Sequence, residues 1–426
     1  MSEMKQLIEK LCPEGVEWKK IETLFTSFNG MSGVSNKWKE SGNCVFIDYL
    51  NVYNNMRVDV TKLQNATVKS FEQNKLKRGD ILLTSASETP DECALSSVIR
   101  DDIPDDVFLD DHLFAVRLKD ECKTFIDTAF VNYYMHSSSF RVQVCKKVRG
   151  VTRFYITGKP FMSLEIPVPP LAVQRKIVEI LDHFTGLEAE LEAELEARRK
   201  QYEYYRNALL SFDKVGGVRF DVKWMTLGEI GEFYGGLSGK SKKDFESGNA
   251  KFISYMNVYS NIAVDISTAE QVNVLAGEKQ NAIQFGDVLF TGSSETPEEC
   301  GMSSVVTMTV NEPIFLNSFC FGLRINDLSP FNAHYLKHLF RSSAVRKQII
   351  KTASGVTRFN VSKKKMADVI IPIPPLSEQQ RIVDILDRFE ALTTDLQSGL
   401  PAEIAARRKQ YEYYREQLLT FKRKTA

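Results

Sequence analysis

The sequence is poor in the residues that build disulfides and metal sites. Its 426 residues include seven cysteines and only five histidines. The cysteine number is odd and no two cysteines lie two residues apart, so neither a disulfide framework nor a zinc site is indicated. Free cysteines are typical of a reducing compartment, and we therefore expect a soluble, cytoplasmic protein.

Long hydrophobic runs and excess charge are also missing. No uninterrupted apolar stretch is long enough to cross a bilayer, and the opening residues MSEMKQLIEKL lack the apolar core of a signal peptide. The 55 Lys and Arg balance the 55 Asp and Glu. Total charge therefore neither favours nor excludes nucleic acid, and the distribution of charge along the chain has to decide.

Sequence patterns of catalysis are incomplete. The stretch GGLSGKS at 235–241 imitates a phosphate-binding loop, but too few residues separate Gly235 from Gly239. Asp105 and Glu121 imitate the carboxylates of a nuclease metal site, yet the second half of the chain has no matching set. The (N/D)PP(Y/F) motif of methyltransferases is absent. We therefore expect a chain without catalytic residues, metal site or cofactor of its own.

What the chain does contain is a long internal repeat. The ten residues ARRKQYEYYR stand at 197–206 and again at 406–415. Four other segments recur in the same order: FIDYLNVY as FISYMNVY, SETPDEC as SETPEEC, GVTRF unchanged, and IPVPPL as IPIPPL. The repeat is far longer than the unit of a solenoid, so the sequence predicts a tandem duplication of a whole domain followed by a helix.

Each copy begins with a globular segment and continues as a helix. Short β-rich runs punctuated by Gly, Asn, Ser and Pro precede helical stretches, which is typical of a mixed α/β domain. Pro-Pro then ends the segment, and a stretch without proline runs from 171 to 212. Apolar residues there recur at alternating spacings of three and four, the pattern of a coiled-coil seam. The seam consists of Ile177, Leu181, Phe184, Leu191, Leu195, Tyr202, Tyr205, Leu209 and Phe212.

A narrow seam on so long a helix needs a partner helix, and the obvious partner is the duplicate at 377–421. Gly399 and Pro401 should break or kink that second helix. We predict an α+β fold: two similar mixed α/β heads joined by long antiparallel coiled-coil helices in a pseudo-twofold tandem repeat. The predicted domains are 1–168, 169–214, 215–373 and 374–426. The alternative is two independent domains with short helical linkers.

The segments IPVPPLAVQRKIVEILDHF and IPIPPLSEQQRIVDILDRF resemble the conserved regions of the DNA-specificity (S) subunit of Type I restriction–modification enzymes. The resemblance implies that each head is a target recognition domain reading one half of a bipartite double-stranded DNA site. It implies that the helices set the gap and dock two methyltransferase subunits, with restriction (motor) subunits joining them. S-adenosylmethionine is then expected on the partner methyltransferase subunits. Copy one departs slightly, with Ala172-Val173 where copy two has Ser377-Glu378.

Identical surfaces on a duplicated scaffold indicate one partner that binds twice. Arg and Tyr are favoured in protein interfaces. The candidate partner-binding residues are Arg198, Arg199, Tyr202 and Tyr205 in copy one and Arg407, Arg408, Tyr411 and Tyr414 in copy two. The alternative is that these stretches only pack the helices together.

Local charge is strongly biased despite the neutral total. No acidic residue occurs in 128–164 or in 328–367, which occupy the same place in the two copies. Matched basic clusters favour contacts with DNA phosphates. The candidates are Lys146, Lys147, Arg149, Arg153 and Lys159, and in copy two Arg346, Lys347, Lys351, Arg358, Lys363 and Lys364. Arg153 and Arg358 lie in the shared GVTRF segment, so we assign them to phosphate rather than to bases.

Two loops rich in Gly and Ser differ between the copies, at 30–38 and 236–245, and are candidates for base reading. Their candidate residues are Ser35, Lys37, Lys240 and Lys242. The shared SETPDEC and SETPEEC segments are predicted to be structural turns, with phosphate binding as the alternative. The leading interpretation is a non-catalytic DNA-recognition subunit. The competing one is a scaffolding adaptor whose heads bind protein, and salt-dependent DNA binding would discriminate between them.

Overall fold

The computed structural model describes residues 2–31, 42–67, 72–212, 221–395 and 398–424. These form two compact units: Met1–Glu190 with Ile404–Ala426, and Leu191–Glu403. Each unit holds one head, at 17–168 or 223–373, together with helical segments from both repeats. Within the described ranges, no helix is both long and apolar enough to cross a membrane.

The first head is built from short elements. Its strands are β1 (Glu17–Lys20), β2 (Phe25–Asn29), β3 (Cys44–Ile47), β4 (Gln64–Ala66), β5 (Ile81–Thr84), β6 (Ala86–Ser87), β7 (Ser96–Val98), β8 (Val107–Leu109), β9 (Leu113–Leu118), β10 (Arg149–Gly150), β11 (Phe154–Tyr155) and β12 (Glu165–Val168). The helices of this part are α1 (Ser2–Leu11), α2 (Ile21–Leu24), α3 (Tyr49–Asn54), α4 (Thr128–Met135), α5 (Ser138–Cys145) and α6 (Gly158–Met162).

The described residues of this head form four small sheets. An antiparallel sheet has the order β2-β9-β5-β7, and a second sheet, β4-β3-β8, pairs β3 with β8 in parallel. The other two are β10-β11-β6 and β1-β12. The side chains of the central strand β5 point alternately to its two faces, and both faces are buried. Ile81 and Leu83 belong to the core that includes α4 and α5, whereas Leu82 packs with Ile47 in a second core.

The second head repeats this topology element by element. Its strands are β13 (Lys223–Thr226), β14 (Gly231–Gly235), β15 (Ala250–Ile253), β16 (Glu270–Val272), β17 (Val288–Thr291), β18 (Ser293–Ser294), β19 (Ser303–Val305), β20 (Ile314–Leu316), β21 (Cys320–Ile325), β22 (Ala353–Gly355), β23 (Phe359–Val361) and β24 (Ile370–Ile373). Its sheets have the orders β14-β21-β17-β19, β16-β15-β20, β18-β23-β22 and β13-β24. The central strand β17 again divides its side chains between two cores.

The long helical segments follow the two heads, and the first such segment of each repeat begins immediately after Pro-Pro. They are α7 (Leu171–Leu209), α13 (Leu376–Thr394) and α14 (Leu400–Leu418), and the short helices of the second head are α8 (Leu227–Ile230), α9 (Tyr255–Ser260), α10 (Ala333–Leu339), α11 (Ser343–Thr352) and α12 (Lys363–Met366). The predicted break near Gly399 and Pro401 is confirmed, because one helix ends at Thr394 and the next begins at Leu400.

Each head packs on the helix that follows it and on the duplicate from the other repeat. In the first unit, the rings of Phe184 and Tyr414 stack with centroids 5.3 Å apart, and Glu188 forms an ion pair with Arg408. Partner numbers fall as the α7 numbers rise, so the pairing is antiparallel, as predicted. In the second unit, the equivalent rings, Tyr205 and Phe389, stack at 5.3 Å.

The glutamine of the PxPPLxxQ element fastens each head to its helix. The fully buried Gln174 side chain accepts from the amide of Asp127 at 2.8 Å and donates to the carbonyls of Phe125 (2.8 Å) and Pro169 (2.7 Å). Gln379 makes the same three hydrogen bonds in the second unit. One side chain thus forms hydrogen bonds with backbone groups that have no partner in a strand.

Candidate nucleic-acid interface

A short hairpin in each head carries the GVTRF segment. In the first head, Gly150 of β10 pairs with Phe154 of β11, and β11 also pairs with β6. In the second head, β22, β23 and β18 are arranged in the same way. Gly150 and Gly355 have φ values of +131° and +154°, and a Cβ atom at either position would lie 2.0 Å from a backbone oxygen. The tight turn therefore requires glycine.

The tip of the hairpin is open to solvent. Val151 is 89% exposed and Val356 is 90% exposed. The arginine of each segment, Arg153 or Arg358, is exposed as well. Arg358 Nε donates to Ser293 Oγ at 3.2 Å, and its guanidinium lies 5.7 Å from the centre of the Phe319 ring. Both hairpins therefore present one apolar and one cationic side chain side by side.

The SETP segments lie beside the hairpins, because β6 and β18 pair with the hairpin strands β11 and β23. The Glu92 carboxylate accepts hydrogen bonds from Ser87 Oγ and Tyr53 Oη, both at 2.8 Å, and these bonds lower the pKa of Glu92. Glu299 accepts from Tyr259 Oη at 2.7 Å and from Ser294 Oγ at 3.1 Å, with the same effect on its pKa. Because these hydroxyls and carboxylates bond to each other, the geometry agrees with the prediction that the segments are structural turns.

Paired tyrosines continue the same surface. Tyr255 and Tyr259 stack on α9 with centroids 6.1 Å apart, as Tyr49 and Tyr53 do on α3 at 5.7 Å. In the second head an open cleft of about 500 Å³ lies beside them, and Met256 and Arg358 line it. The side chain of Met256 is exposed, as is that of Leu50 at the equivalent position.

Most of the predicted DNA-contacting cations are exposed and surround these hairpins in sequence. The exposed ones are Lys146, Lys147, Arg149, Arg153 and Lys159 in the first head and Lys242, Lys347, Lys351, Arg358, Lys363 and Lys364 in the second. Ser35 and Lys37 lie outside the residues that the structure describes. Each head therefore has a basic surface of the kind that supplies phosphate contacts.

Two predicted DNA contacts are instead used inside the second head. The guanidinium of Arg346 donates to the carbonyls of Glu298 (2.8 Å) and Cys300 (2.7 Å), and burial lowers its pKa to about 10. The Lys240 side chain is 4% exposed, and its Nζ pairs with Glu278 at 2.6 Å. Both side chains hold loops in place, so we remove them from the interface predicted from the sequence.

A family comparison matches this duplicated architecture. The family model described as the Type I restriction modification DNA specificity domain matches residues 13–197 and 221–406. The chain belongs to this family of specificity subunits.

Individual relatives agree. The specificity subunit of the EcoR124I/EcoR124II type I restriction enzyme from Escherichia coli is 35% identical over 284 residues, which cover 63% of this chain and 66% of that protein. A type I specificity subunit from Haemophilus influenzae is 31% identical over 319 residues, covering 70% of this chain and 73% of the relative.

Solved structures show the same fold. The S subunit of a Type I restriction–modification system from M. genitalium superimposes with a TM-score of 0.50 at 15% identity, covering 95% of this chain and 96% of that one. A chain from a structural study of complex assembly and conformational transition of the type I R-M system gives a TM-score of 0.63 at 18% identity, covering 95% and 97%.

The tyrosines expected to dock a partner of this specificity subunit are mostly packed inside their own unit. Tyr202 is buried with its hydroxyl 2.9 Å from His338 Nδ1, and Tyr411 is buried with its hydroxyl donating to Met56 Sδ at 3.4 Å. Tyr205 and Tyr414 stack across the helix pairs described above. Tyr202 and Tyr411 are therefore used in packing, whereas Tyr414 is partly buried and Tyr205 is 38% exposed beside its stacked partner, so that partner binding stays a prediction for these two.

The repeated stretch nevertheless keeps an outward face in the specificity subunit. Tyr204 is 69% exposed and its duplicate Tyr413 is 61% exposed. Arg199 of the same stretch is exposed as well. The other predicted arginines contact side chains of this chain: Arg198 pairs with Glu194, Arg407 donates to Gln410, and Arg408 pairs with Glu188 of the first repeat. The outward tyrosines were not among the predicted partner-binding residues, although they fall outside the heptad seam.

Proposed function

We propose that each head of this specificity subunit is a target recognition domain that reads one half of a bipartite site on double-stranded DNA. Family membership supports sequence-specific recognition. The observation that carries the proposal is the exposed basic hairpin that occurs at the same place in two heads whose Gly-rich loops differ. Shared cations suit the phosphates that both half-sites have, and divergent loops suit bases that the half-sites do not share.

The division of labour follows from where the cations lie. Arg153 and Arg358 occupy equivalent hairpins and grip the sugar–phosphate backbone. Lys242 lies in the divergent loop 236–245 and is exposed toward solvent, so we assign this loop to base reading in the second half-site. The loop at 30–38 has the same role in the first. Specificity then arises from the loops, and most of the affinity arises from the shared hairpins.

The proposal includes partners. Two methyltransferase subunits dock on the repeated helical stretches, where Tyr204 and Tyr413 supply matching exposed aromatic anchors. Restriction subunits join that assembly. The chain itself is non-catalytic and carries no cofactor, and S-adenosylmethionine is held by the methyltransferase partners. The assembly acts in the cytoplasm.

The deciding experiment is to map methylated adenines in DNA from cells that express the chain with its methyltransferase partner. We expect one bipartite motif with a gap of fixed length, and we expect its methylation to disappear when the chain is deleted. A contiguous motif, or methylation that does not depend on the chain, would contradict the proposal. If the purified assembly showed no salt-dependent DNA binding, the adaptor interpretation would be favoured.

A further inference from the structure

We propose that Val151 and Val356 are apolar wedges that enter the minor groove and partly unstack one base step in each half-site. This inference rests on the proposed function and extends it from phosphate contacts to deformation of the duplex. Val151 and Val356 stand at the tips of the two GVTRF hairpins.

The exposure of these valines is the first step of the argument. A single exposed apolar side chain is ordinary on a protein surface. Here the same residue stands at about nine-tenths exposure in both heads, on the same hairpin and between the same glycine and threonine. Neither side chain belongs to a core of its head, so packing does not account for it.

The mounting of the hairpin is the second step, because a wedge has to be held rigidly to separate stacked bases. Strand β11 pairs with β6, whose Ser87 is bonded to Glu92. Arg141 fixes the same SETP turn by donating to the carbonyls of Asp91 and Cys93. In the second head, Arg346 fixes the SETPEEC turn by donating to the carbonyls of Glu298 and Cys300. The tip is therefore carried by an anchored three-stranded sheet.

Charge decides between DNA and protein as the occupant. The hairpins lie within the two long acid-free stretches, 128–164 and 328–367. Exposed Lys146, Lys147 and Arg149 precede Val151, and Arg153 follows it. An apolar tip flanked in sequence by cations complements a groove whose rims are phosphates and whose floor is sugar and base.

The duplication explains why the groove is the minor one. Two heads that read different half-sites can share an element only if that element does not discriminate bases strongly. The minor groove presents a degenerate pattern, and apolar wedges act from that side through stacking rather than through base identity. The same valine tip can therefore serve both half-sites, whereas an element that reads bases in the major groove would have to differ between the two heads.

The test uses the complex of the chain with its methyltransferase subunits and a duplex that carries the mapped motif. Variants are Val151→Ala, Val356→Ala and the double substitution, with Val142→Ala as the matched control, because Val142 is an exposed valine of α5 outside the hairpin. We measure affinity against salt, the bend angle by energy transfer between the duplex ends, and the fluorescence of 2-aminopurine placed at successive positions of each half-site.

Each single Val→Ala change should weaken binding about tenfold, because roughly two buried methylene equivalents are lost. The double variant should lose about a hundredfold, since the sites are separate. The bend and the 2-aminopurine signal should fall in the half-site of the altered head while the salt slope stays unchanged. Arg153→Ala should instead reduce that slope by about one. Val→Leu should keep the bend, and Val142→Ala should behave like the parent.

Variants that bind and bend DNA like the parent would overturn the wedge and leave the proposed function intact. Variants that instead failed to assemble with the methyltransferase subunits would show that the tips are protein-docking elements, and this outcome would also overturn the wedge. A parental complex without specific DNA binding would end both proposals together. Because both valines are almost fully exposed, misfolding does not complicate these outcomes.

Discussion

At the scale of single residues, the buried glutamine of each repeat joins its head to the following helix through three hydrogen bonds. Gln379 satisfies two carbonyls and one amide at the junction of the second head with α13. The sequence contained this residue as part of a family motif, but its role was not predictable. Backbone groups from two distant segments meet at the side chain only after the head has folded.

Gln379→Leu should destabilise the second unit by about 3 kcal/mol, because buried backbone groups lose their only side-chain partner. The neighbouring Gln380 is exposed and makes only surface contacts, so Gln380→Leu is the matched control and should change stability little. Urea unfolding midpoints of the two variants give the comparison. Equal midpoints would show that water replaces the glutamine at no cost.

Arg358→Ala, and likewise Arg153→Ala, should weaken DNA binding without changing the preferred sequence. The reason is that equivalent arginines in two different heads can share phosphates but not bases. Binding of the methyltransferase complex to the mapped motif, at several salt concentrations, measures affinity and slope together. A variant whose motif became degenerate in one half would show that its arginine reads a base.

His136 should make the first unit sensitive to acid. Its Nε2 donates to Ser96 O across 2.7 Å, and burial lowers the pKa of His136 to about 4. Below the unfolded pKa of roughly 6.5, the unfolded chain binds a proton that the folded head does not. Stability is therefore complete above about pH 6.5 and falls toward pH 4, by at most about 1.4 kcal/mol per pH unit.

Hydrogen exchange of α4 and α5 at pH 7 and pH 5 measures this effect. His136→Gln keeps a donor for Ser96 and should flatten the pH dependence. His183→Gln is the control, because His183 is exposed on α7, and it should leave the dependence as it is. An unchanged slope in His136→Gln would assign the acid sensitivity to other groups.

Some residue assignments from the sequence were wrong for a physical reason. Tyr202 was predicted both as a seam residue and as a partner anchor, and its place in the seam determined its burial. The same heptad pattern places Tyr204 outside the seam, where it is exposed. Arg346 was predicted as a DNA contact from its position in a basic run, but a linear run does not show which cations point inward to carbonyls.

At the scale of elements, helices and their breaks were predictable because local signals determine them. Pro-Pro sets the start of α7 and α13, and Gly399 with Pro401 sets the break before α14. The sheet orders were not predictable. The pairing of β11 with β6 joins residues from distant parts of the head, and short strands carry little information about their partners.

The segment LEAELEAELEA at 187–197 of α7 should act as a ruler. Its residues are strong helix formers and mostly exposed, so one more LEAE inserted after Ala193 should extend the helix by about 6 Å. One base pair rises roughly 3.4 Å. We therefore predict a gap longer by about one or two base pairs, with both half-site sequences unchanged.

Methylation-motif mapping of the insertion variant tests the ruler. A variant that methylates the original motif with the original gap would assign the helices to docking alone. As a control, replacing Glu192 and Glu194 by Gln keeps the helix length and should leave the gap as it was. Both carboxylates are exposed, so this change should not disturb the cores.

At the scale of the whole molecule, each unit is completed by the other repeat. The first unit includes residues from Ile404 onward, and Tyr411, Leu418 and Leu419 belong to its core. The second unit contains Tyr202 and Leu210 in the equivalent places. The duplication was evident from the sequence, but this reciprocal exchange was not. A repeat shows which segments are equivalent, and it does not show which segments contact each other.

A fragment of residues 1–212 should therefore form a homodimer. It lacks the segment that completes the first unit, but it carries the identical ARRKQYEYYR stretch, which a second copy can supply. Sedimentation equilibrium should give twice the fragment mass, and Tyr202→Glu should dissociate the dimer by placing a charge in the core. A folded monomeric fragment would show that the first unit does not need the exchanged helix.

The reciprocal packing also has a consequence for inheritance. Because both units use the same ten residues against their heads, a genetic crossover within the DNA that encodes this stretch joins an incoming head to a helix that already fits it. With the function proposed above, the recombinant chain keeps both hydrophobic cores and its partner surface while one half of its target changes. A population can thus acquire new restriction specificities by reshuffling existing halves, without evolving a new fold for each.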